Sequence, residues 1–229
     1  MPRQPLLYVK PNAKIRFPAN ALSERPDLAP LIGECIALWS RVEAQMAILL
    51  GAIMKAETGV ASAVFLSIRN SRAQRDALTE AAQVALTGRE LEMFSAIALV
   101  YQSLDGQRAD LAHGIFAVSQ ELPDALLWID AKDLTQHTIL TWAEEDAKQE
   151  VPFPPQSDDA VKSAVFIHRK NDLIGLRDEI TQFWKAVFLF GVYLRMSARF
   201  PGLNGPEEEF QRLYDLPPIH QALSRLRGK

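Results

Sequence analysis

With 229 residues, 48% of them hydrophobic, the chain is long enough to bury one sizeable core without help from disulfides or metals. A single cysteine, Cys35, excludes an intramolecular disulfide framework and fits a reducing compartment, and four histidines with no close pairing argue against a zinc site. A net charge of -3 excludes a polycation, so any contact with nucleic acid must come from a local patch.

Residues 1–27 carry prolines at 2, 5, 11, 18 and 26, which forbid a long helix and predict an extended proline-rich arm lying on the domain or on a partner. Met1 to Lys14 contains no apolar run followed by a small-residue cleavage site, so no secretory signal is expected. The apolar run Phe183 to Leu194, interrupted by Lys185 and Gly191, falls short of the ~20 residues that span a bilayer. The expectation is a cytoplasmic protein without membrane contact.

From about Leu28 a helical period begins, with Leu31, Cys35, Leu38, Val42, Met46, Leu49 and Ile53 stepping by three or four, and the spacing predicts one long helix ending near Glu57-Thr58-Gly59. A short apolar helix follows over 60–69, then another over 71–87 with Ser71 as its cap and Gly88 as its stop. A fourth helix runs from about Glu90 to Leu111. Beyond Gly114 the period changes. Ile115 to Val118 and Ala125 to Ile129, joined by the turn Glu121 to Asp124, predict a β-hairpin, with Thr138 to Trp142 as a candidate third strand. Residues 150–159 are proline-rich loop, and from Asn171 a last long helix carries Leu173, Leu176, Ile180, Phe183, Val187 and Leu194 on one face. The expected fold is mainly α: an up-and-down bundle of four to five helices over 28–199, a small β-hairpin insertion at about 115–142, and a C-terminal tail over 200–229 with short helices.

Successive helical residues are 100° apart, which places Phe94, Ile97, Tyr101, Leu104 and Leu111 on one stripe with Arg108 in its middle. An arginine there is either paired in the core or lines a crevice that receives an anion. His113 lies about 140° around the helix from Arg108. Gly114 reads as a C′ residue, and a last turn that tightens or unwinds there brings the two side chains together. The helix C-terminus favours a cationic side chain at His113. Glu43, at the edge of the first long helix's apolar stripe, is a carboxylate in want of a cation, whether Arg108 or a surface base.

Arg108-Ala-Asp-Leu-Ala-His113-Gly114 at the end of a bundle helix, preceded by a long helix bearing Trp39-Ser40-Arg41-Val42-Glu43, resembles the HEPN superfamily (higher eukaryote and prokaryote nucleotide-binding domains) over roughly Leu28 to Arg199. That family is marked by an arginine followed four to six residues later by a histidine. The resemblance implies a metal-independent endoribonuclease of toxin–antitoxin, phage-defence or CRISPR-linked systems, with Arg108 and His113 catalytic, RNA as substrate, an antitoxin protein as partner in toxin members, and a homodimer that sets two Arg-His pairs around one cleft. No cofactor and no metal are implied. Active members often carry Asn, Asp or His directly after the arginine. This chain has Ala109 there, and Asp110, one place later and three before His113, is the candidate to orient the imidazole.

Arg69, Arg72 and Arg75 form a basic cluster that could contact an RNA backbone or, with Asp76 and Glu80, be a solvated helix start. His168-Arg169-Lys170 reads as a solvated turn, and His137 and His220 as surface residues. Trp128 and Trp142 could stack bases or pack the hairpin. A second function class stands beside the nuclease: a non-catalytic bundle of the same shape, serving as a dimerisation, partner-binding or RNA-binding module, with Arg108 in a structural ion pair.

Overall fold

In a computed structural model of the chain, the described residues are 4–136, 138–139, 159–200 and 205–228. In chain order they form α1 (Leu6–Val9), α2 (Ala29–Met54), α3 (Thr58–Ser67), α4 (Ser71–Ala85), α5 (Gly88–His113), β1 (Ile115–Ala117), β2 (Ala125–Ile129), α6 (helical over 131–136), α7 (Asp159–Ala164), β3 (Phe166–Arg169), α8 (Lys170–Arg199), α9 (Gly205–Tyr214) and α10 (Pro217–Arg227). The fold is mainly α with a small β insertion, as its hydrophobic periods predict. By its internal contacts the chain divides into two compact units, one of residues 1–36 and 107–177, the other of residues 37–106 and 178–229.

The first unit contains the sheet, an antiparallel array in the order β1-β2-β3. Among the described residues the third strand is Phe166–Arg169. Thr138 and Ile139 are helical, Trp142 lies outside the described residues, and His168 and Arg169 are strand residues rather than a solvated turn. Central strand β2 is buried at all five positions because both its neighbours and both its faces are covered. One face, Ala125, Leu127 and Ile129, joins Leu6, Ala13, Ala117, Val161, Val165 and Ile167 in a core cluster.

Over residues 4–27 the proline-rich arm lies along this sheet's edges, one of its two expected places. Pro5 bridges to Phe166 on the β3 edge and Arg16 to Val118 on the β1 side, so backbone groups that would otherwise invite pairing with another chain are occupied. Arg25 donates from Nε to the Ala125 carbonyl (2.9 Å) and from Nη2 to those of Ser119 (3.2 Å) and Leu122 (3.4 Å), gathering the β1–β2 turn around one guanidinium. Lys162 Nζ donates to the Pro11 carbonyl.

The second unit is a helical bundle. Trp39, Val42, Met46, Leu49 and Ile53 of α2, Phe94, Ile97, Tyr101 and Leu104 of α5, and Ile180, Phe183, Val187 and Phe190 of α8 are all buried. Tyr101 stacks between Trp39 (centroids 5.2 Å apart) and Phe183 (6.2 Å), so one aromatic pile joins the three long helices. Over 18 residues α2 has a mean hydropathy of 1.4, enough by length and composition to cross a membrane, and 56% of that window is buried within the protein.

α2 stops at Met54, short of the expected Gly59. Lys55 takes a left-handed φ of 52°, its N–H donates to the Ala52 carbonyl and the Ala56 N–H to that of Gly51, which together make a Schellman ending on a non-glycine residue. Glu57 then caps α3, accepting from the Gly59 and Val60 N–H groups. The cap of α4 is Asn70, whose side chain accepts from the Ala73 N–H at 3.0 Å, and Ser71 is the first helical residue.

Candidate functional site

The buried stripe of α5 is as its period predicts: Phe94, Ile97, Tyr101, Leu104 and Leu111 are buried, and Arg108, between the last two, is half-buried. Asp110 is half-buried and His113 exposed. Arg108, Asp110 and His113 all belong to the sheet-containing unit.

The last turn of α5 is regular. The Gly114 N–H donates to the Asp110 carbonyl at 3.0 Å, the bond of an unbroken α-helix, so His113 stays about 140° around from Arg108. A tightened or unwound turn does not bring the two together. Asp110 and His113, three apart, share a face of that turn.

Nor is Gly114 a left-handed C′ residue. Gly88 is the glycine with positive φ among the described residues. Gly114 is glycine because the indole of Trp128 lies against it: a Cβ there would overlap Nε1 and Cδ1 and sit 2.5 Å from Cε2. Trp128 is 2% exposed, which removes it as a platform for stacking bases.

Glu43 belongs to the bundle unit, where it is half-buried and its Oε1 accepts from Trp39 Nε1 at 3.0 Å. A carboxylate at the stripe's edge is what the sequence predicts. The indole donor is local, four residues earlier on the same helix.

Comparison with protein-family models, with curated proteins and with solved structures finds no match to this chain.

The three arginines of the basic cluster differ in exposure. Arg69 and Arg72 are exposed, but Arg75 is half-buried and ion-paired with Asp105 at 3.4 Å, a carboxylate 8% exposed on α5. Its partner is thus neither Asp76 nor Glu80. His220 is exposed, His137 lies outside the described residues, and His168 is half-buried with its ring edge-on to Trp128 at 6.5 Å. A depression of about 460 Å³ on α6, lined by Ala131, Lys132, Thr135, Gln136 and Ile139, includes none of the α5 candidates. Among the described residues no three of His, Cys, Asp or Glu gather as metal ligands.

Sequence reasoning missed the residue that lies against the glycine after α5. Trp128 was visible as an aromatic on a strand, and Gly114 as a glycine after a helix. That they touch depends on strand register.

Proposed function

We propose that the chain is a HEPN-type endoribonuclease that cuts RNA without a metal ion, working as a homodimer in which Arg108 and His113 of two copies face one cleft. The observation that carries this reading is the Arg108-x4-His113 spacing at the end of α5 with the imidazole exposed, where substrate or a second copy can reach it. In the reaction the RNA 2′-hydroxyl loses its proton to one imidazole and attacks the adjacent phosphorus. The P–O5′ bond breaks, a second imidazole protonates the leaving oxygen, and a 2′,3′-cyclic phosphate remains. Arg108 holds the non-bridging phosphate oxygens as charge develops on them. One such histidine per chain provides an acid or a base. Two copies provide both. The setting is that of a toxin or phage-defence component, with an antitoxin protein as its partner.

The regular last turn favours a second reading. Arg108 and His113 diverge within one chain, as they would in a non-catalytic module whose arginine is structural and whose function is dimerisation or the binding of RNA or a partner.

The two readings separate in one assay. Purified protein in excess EDTA is incubated with single-stranded RNA, and the wild type is compared with His113→Ala and Arg108→Ala. The nuclease reading expects cleavage by the wild type that falls at least ~100-fold in each variant. Cleavage that survives both substitutions, or that is lost on chelation, rejects the mechanism. RNA bound but left intact supports the module.

A further inference from the structure

We infer that Trp128 positions His113 by way of Gly114, an inference that rests on reading His113 as the reacting group. Trp128 is opposite Phe116 of β1, and Gly114 precedes Phe116 by two residues, so the indole reaches Gly114 along the diagonal of an antiparallel pair. On its other side Trp128 is opposite Phe166 of β3, the ring centroids 5.6 Å apart, with the His168 ring edge-on beyond. β2 is the central strand and is buried throughout, so the indole is confined by both neighbouring strands.

What the indole confines is backbone. It lies where a side chain at 114 would begin, and it leaves the main chain at that point no room to shift toward the sheet. The Gly114 N–H closes the last α-helical bond onto Asp110, so the turn that carries Asp110 and His113 is fixed at its final hydrogen bond. The exposed imidazole takes its place from that turn rather than from packing of its own. A displacement of about 1 Å at a reacting group costs on the order of 100-fold in rate, which makes this contact matter to chemistry at the helix end. Trp128 is therefore a positioning residue. It acts through the backbone and need not touch RNA.

The test uses the full chain and five variants: Gly114→Ala, Trp128→Leu, Trp128→Phe, the double Gly114→Ala/Trp128→Leu, and His113→Ala as the reference for assignment. Two quantities are read: kcat and KM for cleavage of a labelled single-stranded RNA, and the imidazole Cε1–H NMR resonance of His113, identified by its loss in His113→Ala. Gly114→Ala is expected to lower kcat ~10- to 100-fold with KM within about twofold, and to move the His113 resonance while that of exposed His220 stays in place. The double variant is expected to recover part of the loss, because the space left by the indole accepts the new methyl group. If Gly114→Ala does not fold, Trp128→Phe decides. It keeps a ring between Phe116 and Phe166 but withdraws Nε1 from Gly114, and its His113 resonance must move. A folded Gly114→Ala or Trp128→Phe with an unmoved His113 resonance overturns the inference, as does a double variant no better than Gly114→Ala. If the wild type cuts no RNA, the nuclease reading fails, and the resonance alone decides whether Trp128 sets the place of His113.

Discussion

Arg89 shows how one side chain ties distant elements together. Its guanidinium donates to both carboxylate oxygens of Glu207 (2.7 and 2.6 Å) and to Tyr193 Oη (3.3 Å), and lies 4.6 Å from the Phe210 ring centroid. The hydrogen bonds from Arg89, then that from Gln211, hold the Glu207 carboxyl at about 2, against an ordinary value of 4.5. Burial and the bond Tyr193 donates to Glu90 push the Tyr193 hydroxyl up. A carboxyl depressed in the folded state contributes stability that is whole above its ordinary value and is lost as pH falls through its folded value. The difference in melting temperature between wild type and Glu207→Gln is thus expected to be constant above about pH 5 and to shrink toward zero near pH 2, by thermal unfolding across that range. Both partners are nearly half exposed, so the difference should be small and should fall further in high salt. A mutant melting alongside the wild type at neutral pH and low salt would show that the pair adds no stability. Of the site, Arg108's place on the buried stripe was legible from spacing alone, since residues on one helix keep a set angle. The partners of Arg75 and Arg89 were not, because Asp105 and Glu207 are far away in sequence.

At the scale of elements, local chemistry offers neighbouring candidates for a boundary and the fold chooses among them. Asn70 and Ser71 are both good caps, and periodicity pointed to Ser71. The structure starts α4 at Ser71 and gives the cap to Asn70. Asn70→Ala is accordingly expected to cost about 1 kcal/mol in urea unfolding. Ser71→Ala should stay within about 0.5 kcal/mol; equal losses would contradict this assignment. The third strand shows a larger limit. Phe166–Arg169 is a short run about 40 residues from β2 in sequence, and its pairing with that strand is one that no local window contains. The hairpin itself, whose strands are joined over residues 118–124, was readable from its two runs and the turn residues between them.

At the scale of the molecule, residues 205–228 are a working part of the bundle unit. Phe210, Leu213, Ile219 and Leu223 are buried, and Phe210 packs against Tyr193 (4.5 Å), Phe190 (6.4 Å) and Tyr214 (5.8 Å). Phe210→Ala is expected to destabilise the protein by about 3–5 kcal/mol in urea unfolding. A loss below 1 kcal/mol would mean that α9 is dispensable to that core. By itself the sequence determined that the chain is mainly helical, which faces of α2, α5 and α8 are buried, and that Arg108 lies on one of them, because the helical repeat acts over a few residues and needs no partner. Tertiary structure alone decided that β3 completes the sheet, that the proline-rich arm covers its edges, that α9 and α10 complete a core, and that Trp128 bears on the glycine after His113. Each joins residues tens of positions apart, and their meeting is set by strand register and by packing volume, which no local spacing encodes.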